Sequence, residues 1–121
     1  MGRGLRNADS RPGDAGDRSS LGRLGEDLAA WYLTGRGLRV VGRNIRVGRG
    51  ELDLLAIDGR ARTVVEVRAT TGSVDPLDAA DERKRRRVRA LARYAGCDRV
   101  DFVGVRVDSA GFDVHWLPGG G

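Results

Sequence analysis

Two short apolar segments carry acidic side chains where a purely structural strand would have no use for them. Segment 50–55 (GELDLL) contains Asp53, and segment 64–68 (VVEVR) contains Glu66. Paired carboxylates on neighbouring strands supply the hard oxygen ligands that Mg²⁺ and Mn²⁺ prefer. The two segments therefore predict a divalent-metal site, provided that the fold brings Asp53 and Glu66 together.

The alternative to a metal site is a structural ion pair. In the second segment Val65 and Val67 point to one face of the predicted strand, whereas Glu66 and Arg68 point to the other and are same-face neighbours. A buried ion pair of this kind is weak evidence for stability. The second, independent carboxylate at Asp53 favours a site over a simple ion pair.

The elements that must position the two carboxylates are a pair of strands joined by a tight turn. Asp58 and Gly59 stand between the two segments and form a strong signal for a β-hairpin. Within 51–57 both faces become apolar toward the C-terminal end, which predicts a strand that is covered on both sides. A hairpin would set the segments side by side and allow Asp53 and Glu66 to converge.

A helix is predicted from the serine pair at 19–20, which can cap its start, to about Thr34, with Gly35 and Gly37 at its end. Glu26 lies at the rim of its packing face. Because desolvating a lone carboxylate is costly, Glu26 must reach water, pair with an arginine or take part in a site, and the helical wheel leaves these alternatives open. The apolar side of the wheel contains Leu21, Leu24, Leu28, Trp31 and Tyr32.

A second helix is predicted to start at Asp75 and Pro76, with the aspartate as its cap. Lys84, the only lysine of the chain, lies on its core-facing stripe and needs a carboxylate or phosphate within reach. The alternative is a lysine whose stem crosses the sheet while its ammonium group stays in water. The stripe consists of Leu77, Ala80, Lys84, Val88, Leu91 and Ala95.

The remaining predicted elements are strands at 38–41, 100–107 and 112–117, which complete an α/β pattern. Segment 42–50 could extend the first of these strands or form a loop. His115 is the only histidine, and it is a poor candidate for a metal ligand or a catalytic triad because no second histidine is present.

The chain is basic, with a net charge of +5 and a pI near 10.5, which favours polyanionic partners. All basic residues except Lys84 are arginines, so a compositional bias accounts for part of this charge. Two groups of arginines are spaced to contact successive phosphates, although a solvated surface would have the same pattern. The candidate nucleic-acid ligands are Arg43, Arg46, Arg49, Arg83, Arg86 and Arg87.

A chain of 121 residues that is 40% hydrophobic and 32% charged is predicted to form one globular domain. We expect a disordered tail at 1–18, a single domain at 19–117 and a flexible C-terminus at 118–121. No apolar run approaches the roughly 18 residues of a membrane helix, and the N-terminus has no apolar signal core. The single cysteine, Cys97, excludes an internal disulfide. We therefore expect a cytoplasmic protein without a membrane partner.

The order of these motifs resembles the YraN-type family of bacterial endonuclease candidates over about residues 20–117. That family looks like the restriction-endonuclease-like fold and is similar to archaeal Holliday junction resolvases, which are often dimers. The residues that carry the resemblance are Gly22-x-x-Gly25-Glu26, Arg43-Asn44, Gly50-Glu51-Leu52-Asp53-Leu54, Val65-Glu66-Val67-Arg68 and Lys84.

The resemblance implies an αβββαβ core in which a mixed sheet is flanked by helices. It also implies that Asp53 and Glu66 are metal ligands together with the backbone carbonyl of Val67, and that Glu26 binds the metal directly or through water. Bound Mg²⁺ or Mn²⁺ would lower the pKa of a water molecule and offset charge on the phosphate, which is worth on the order of several kcal/mol of barrier. The implied function is that of a metal-dependent nuclease hydrolysing DNA, on branched or single-stranded substrates.

One position departs from the family pattern, because Arg68 stands where a lysine is expected. Arginine stays protonated and cannot act as a general base, although it can stabilise developing negative charge. Our hypothesis is that Lys84 supplies the nearby ammonium group while Arg68 contacts phosphate, so that Glu26, Asp53, Glu66, Arg68 and Lys84 form the catalytic set. The alternatives are a nucleic-acid-binding domain with impaired catalysis and a structural protein whose carboxylates only form ion pairs.

Overall fold

A mixed five-stranded sheet forms the centre of the computed structural model, which describes residues 18–77 and 82–119. The strands stand side by side in sequence order, with β3 and β4 parallel and all other neighbours antiparallel. This α/β architecture confirms the αβββαβ order that the resemblance implies, together with the further strand predicted at 112–117, and is consistent with a restriction-endonuclease-like core. The elements are α1 (Arg18–Gly35), β1 (Arg39–Val47), β2 (Gly50–Asp58), β3 (Ala61–Thr71), α2 (Glu82–Tyr94), β4 (Arg99–Asp108) and β5 (Gly111–Leu117).

Two tight hairpins build the first half of the sheet. Gly59 has a φ of +65° and, with Arg60, turns β2 into β3, which confirms the hairpin predicted at Asp58 and Gly59. Gly48 has a φ of +57° in the turn between β1 and β2. Left-handed backbone of this kind is accessible to glycine without a steric penalty. Of the two alternatives for segment 42–50, the strand is observed, because β1 continues to Val47.

The two helices cover opposite faces of the sheet. Helix α1 packs on the face that contains Leu54, Val65 and Val103. Helix α2 packs on the other face through Val88 and Ala92. Strands covered on both faces bury nearly all of their apolar side chains, and this explains the two-sided apolar pattern of β2 and β3 in the sequence.

Helix α1 has the predicted extent, and its buried face keeps Leu28 of the predicted apolar side, with Leu24 and Tyr32 packed beside it, but excludes Trp31. Trp31, which the helical wheel assigns to the apolar side, is 51% exposed, whereas Ala29 and Leu33 are fully buried. The reason is a close approach of helix and sheet at Gly25, where an added Cβ would lie 2.7 Å from the Cβ of Ala69. The small residues therefore face the sheet and the indole turns outward.

The start of helix α2 was predicted wrongly. Pro76 and Leu77 lie in a turn, and the carboxylate of Asp75 accepts a hydrogen bond from the N–H of Leu77 at 2.9 Å. Asp75 thus caps this turn, and the described part of the helix begins at Glu82. The turn covers Gly104 of β4, since a Cβ there would lie 2.9 Å from side-chain atoms of both Pro76 and Leu77.

The predicted termini are only partly covered by the structure. Of the disordered tail predicted at 1–18, all but Arg18 lies outside the described residues, as do the last two residues of the flexible C-terminus predicted at 118–121. The N–H of Gly119 donates a hydrogen bond to Asp101 at 2.8 Å. Within the described ranges, neither helix is long and apolar enough to cross a membrane.

Candidate active site

Strands β2 and β3 separate at one end of their hairpin and form a fork in the sheet. They pair from Asp58–Ala61 as far as Leu54–Val65. Beyond that pair β2 continues alongside β1, and β3 continues alongside β4. Asp53 and Glu66 are the first residues past the last pair, so both predicted carboxylates lie at this fork.

Asp53 points across the fork toward β3. Its Oδ2 accepts a hydrogen bond from the N–H of Val67 at 2.8 Å, and its carboxyl group lies close enough to that of Glu66 for the two to interact. Burial, followed by the charge of Glu66, raises the pKa of Asp53 to about 7, against the lowering effect of the Val67 N–H and of Lys84. Two carboxyl groups this close cannot both ionise without a compensating cation.

The side chain of Glu66 is largely enclosed, with 11% of it exposed. Its Oε2 lies 3.1 Å from Nζ of Lys84, so the ammonium group of α2 reaches the carboxylate that the lysine was predicted to need. Glu66 and Lys84 line a cavity of about 20 Å³, which has room for one water molecule. Arg68 and Arg85 line this cavity too. The guanidinium carbon of Arg85 lies 5.0 Å from the centre of the Phe102 ring.

Glu26 approaches the fork from the α1 face of the sheet, whereas Glu66 and Lys84 lie on the α2 face. Burial raises the pKa of Glu26, a hydrogen bond from Asn44 lowers it, and the charge of Asp53 raises it again. Glu26 therefore senses the charge of Asp53 from the face of the sheet opposite to Glu66. Among residues 18–77 and 82–119, no three His, Cys, Asp or Glu side chains are grouped to hold a metal ion. A metal role for Glu26 stays a prediction.

Asn44 also belongs to the site, although the sequence indicates only its place in the Arg43-Asn44 motif. It lies between the Arg43–Leu54 and Ile45–Leu52 pairs of the β1–β2 ladder, which places it opposite Asp53. It is the only non-glycine residue with positive φ among those described, at +50°, and its Nδ2 donates to Oε1 of Glu26 at 3.2 Å. Asparagine tolerates this left-handed conformation better than most residues, and strained positions of this kind cluster at functional sites.

The predicted nucleic-acid ligands divide between two surfaces. Arg43 forms an ion pair of 2.6 Å with Asp27 of α1. Arg49 lies in the β1–β2 turn, and the adjoining Gly50 packs against Leu91 of α2, with an added Cβ only 2.5 Å from Leu91 Cδ1. The turn and the exposed side of α2 therefore form one surface, which also carries Arg83, Arg86 and Arg87, all of them exposed. Arg46 is exposed as well, but it lies between Ile45 and Val47, which pack toward α2, so its side chain is on the opposite face of the sheet.

The donor chemistry at the fork fits a divalent cation. Mg²⁺ is usually held by one or two carboxylates, with water and substrate phosphate completing its coordination. Asp53 and Glu66 provide such a pair. Burial and, after it, the charge of Glu66 raise the pKa of Asp53, and a doubly charged ion would relieve the repulsion between the two carboxylates. Glu26 and the Val67 carbonyl are the further ligands that the resemblance implies.

Metal-free protein is expected to lose stability as the pH rises from about 4 to about 7. The carboxyl of Asp53 has a pKa of about 3.9 in an unfolded chain and of about 7 in the fold. Between these values the folded state binds more protons than the unfolded state, so the free energy of unfolding falls with increasing pH. Asp53→Asn should remove this loss, which urea denaturation in a chelating buffer at several pH values would measure. Parallel profiles for the two proteins would contradict the shifted pKa.

The described site lies within a region that is similar to known proteins. The model of a family described as "Uncharacterised protein family UPF0102" matches residues 25–107. A UPF0102 protein of Mycobacterium tuberculosis is 45% identical over 103 residues, covering 74% of this chain and 80% of the relative. A UPF0102 protein of Leifsonia xyli is 39% identical over 113 residues, covering 84% and 96% respectively. One of Thermotoga petrophila is 40% identical over 95 residues, covering 73% and 86%.

Proposed function

The chain belongs to the uncharacterised protein family UPF0102, which is the YraN-type family, and from that premise we propose that it is a metal-dependent nuclease hydrolysing phosphodiester bonds in DNA. One observation carries the proposal. The carboxyl groups of Asp53 and Glu66 adjoin each other at the fork, and burial together with the charge of Glu66 raises the pKa of Asp53 to about 7. A strained pair of carboxyl groups beside a lysine is what a cation site requires and what a structural strand does not.

The residues at the fork would have different roles in the reaction. Asp53 and Glu66 would hold Mg²⁺ or Mn²⁺, which when bound would lower the pKa of a water molecule and offset charge on the phosphate. Lys84, 3.1 Å from Glu66, would place its ammonium group beside the scissile phosphate. Arg68 lines the same cavity and would bind a phosphate oxygen through its planar donors.

Lys84→Ala is expected to slow cleavage at saturating metal by about 10²-fold, because the ammonium group stabilises charge that develops on the phosphate. Arg68→Lys restores the residue type that the family pattern expects, and it should leave the rate unchanged or raise it. Single-turnover cleavage of a labelled DNA substrate by each variant measures both effects.

Arg60→Ala is the matched control for Lys84→Ala. Arg60 lies in the β2–β3 turn, at the opposite end of the hairpin from the fork, so its loss removes one positive charge without touching the site. If Lys84→Ala cleaves as fast as Arg60→Ala, Lys84 has no part in the reaction. If Arg68→Lys is inactive, the guanidinium itself is required.

The second candidate function is nucleic-acid binding without turnover, and Arg68 in place of lysine is the observation that favours it. The arginines of the β1–β2 turn and of α2 would serve either function, since phosphate contacts are independent of sequence and weaken steeply with salt. DNA binding that depends on salt, without cleavage in Mg²⁺ or Mn²⁺, would support this alternative. Failure to bind either metal would instead favour carboxylates with a purely structural role.

A cleavage panel tests the proposal directly. Supercoiled plasmid, single strands, forked duplexes and four-way junctions would be incubated with the full chain in Mg²⁺, in Mn²⁺ and in a chelator. The proposal expects metal-dependent strand scission on at least one substrate. Its absence on every substrate, with metal binding demonstrated by calorimetry, would overturn it.

A further inference from the structure

Strands β1 and β2 change the face that they present to the two helices at the same level of the sheet. On β2, Leu54 packs in the apolar cluster under α1, whereas Leu52 packs in the cluster under α2. On β1, Arg43 binds Asp27 of α1, whereas Ile45 packs in the cluster under α2. Residues two apart share a face in a regular strand. The alternation is therefore broken at the residue that stands between the members of each pair.

The two residues at which the alternation breaks are Asn44 and Asp53, which lie opposite each other on the neighbouring strands. On β1 the cause is the backbone of Asn44, with its φ of +50°. A left-handed residue within a strand re-aims its side chain, and asparagine adopts this conformation more readily than most residues. Asn44 therefore reaches α1 as its neighbour Arg43 does, and its Nδ2 donates to Oε1 of Glu26 at 3.2 Å.

The side chain of Glu26 takes its orientation from Asn44. Among residues 18–77 and 82–119, the amide of Asn44 is the only hydrogen-bond donor to the carboxylate of Glu26. The adjacent ion pair between Asp27 and Arg43, at 2.6 Å, holds α1 against β1 at this level without contacting the Glu26 carboxylate. A carboxylate accepts through two oxygens, so the contact at Oε1 fixes the group and leaves Oε2 for a further ligand.

We propose that Asn44 is a positioning residue, which holds the carboxylate of Glu26 beside Asp53 so that both can bind the divalent cation. Asn44 acts through Glu26 and does not itself bind the ion. Partners of this kind orient a ligand before the metal arrives, and their loss typically lowers metal affinity by about 10- to 100-fold. The inference rests on the proposed function for the cation site, but it is independent of DNA cleavage.

The test is isothermal titration calorimetry with Mn²⁺ on the full chain, for the wild type, Asn44→Gly, Glu26→Ala and the double variant. Glycine adopts a positive φ without strain, so Asn44→Gly removes the amide and spares the backbone. It should weaken Mn²⁺ binding by about 10- to 100-fold. Because Asn44 acts through Glu26, adding Asn44→Gly to Glu26→Ala should cause no further loss, whereas two independent contributions would multiply.

Asp27→Ala is the matched control, because it breaks the neighbouring contact between α1 and β1 and leaves that of Asn44 in place. It should bind Mn²⁺ like the wild type, even if urea denaturation in a chelating buffer shows that it is less stable. Wild-type affinity in Asn44→Gly, an equal loss in Asp27→Ala, or losses that multiply in the double variant would overturn the inference, as would a wild type that binds no Mn²⁺. A wild type that binds Mn²⁺ but cleaves no DNA would contradict the proposed nuclease, and the four affinities would still decide the role of Asn44.

Discussion

Asp53→Asn is expected to abolish metal-dependent cleavage, lowering the single-turnover rate by about 10³-fold, which corresponds to several kcal/mol of barrier. The substitution removes one of the two charges that attract the cation at the fork. It keeps the shape of the side chain, and the amide oxygen of asparagine can still accept the hydrogen bond that Val67 donates to Asp53 at 2.8 Å. Loss of cleavage would thus report on charge and not on folding.

Asp113→Asn is the control for this experiment. Asp113 lies on β5, where it pairs with Arg106 at 2.7 Å, and its substitution makes the same change in net charge far from the fork. It should cleave like the wild type. Calorimetry with Mn²⁺ adds a readout that is independent of turnover, since Asp53→Asn should bind the ion much more weakly. If Asp53→Asn cleaved DNA at the wild-type rate, the fork would not be the metal site, and the proposed nuclease activity at the fork would be contradicted.

The pair at the fork could be predicted from sequence because the information is local. A turn signal at Asp58 and Gly59 fixes the register of the hairpin, and alternation along two short strands then sets Asp53 beside Glu66. Lys84 was identified by the same kind of reasoning, since a cation on an inward stripe needs a partner. The structure gives that partner as Glu66, at 3.1 Å.

Other features depend on contacts between distant segments and could not be predicted. The face that α1 buries is decided by the approach of Gly25 to Ala69, which a helical wheel does not contain. The wheel therefore placed Trp31 in the core. Asn44 is part of the site because its backbone has a φ of +50° and because its side chain donates a hydrogen bond to Glu26 on α1. Its type alone indicated only that a left-handed conformation was tolerable.

Asp101 is the clearest example of a residue whose role is invisible in the sequence. In the valine-rich strand β4 it reads as one polar residue among apolar ones, yet it is fully buried. Its Oδ1 accepts from Arg99 Nε and from the N–H of Gly119, both at 2.8 Å. Its Oδ2 accepts from Trp116 Nε1 at 2.8 Å and from Arg99 Nη2 at 3.0 Å. The partners lie up to 18 residues away.

Asp101→Ala is expected to destabilise the protein by about 3 to 5 kcal/mol, because it removes the buried acceptor of four hydrogen bonds, leaves the donors of Trp116 and Gly119 without this partner and leaves Arg99 with Asp58 alone. The loss is a large part of the 5 to 15 kcal/mol that stabilises a domain of about this size. Urea denaturation monitored by circular dichroism would measure it. Arg99 also bonds Asp58 at 2.8 Å, so the β2–β3 hairpin should loosen together with the C-terminal end of β5.

Trp116→Phe separates the contribution of one hydrogen bond from that of the whole network. It removes a single donor to Asp101 and keeps an aromatic ring in place, so the expected loss is about 0.5 to 1.5 kcal/mol. Because Asp101 would keep Arg99 and Gly119, the carboxylate would remain compensated. If Asp101→Ala were no more destabilising than Trp116→Phe, the buried carboxylate could not be what joins β4, β5 and the β2–β3 turn. The support for the strands that carry Asp53 and Glu66 would then have to come from the apolar packing of the two helices alone.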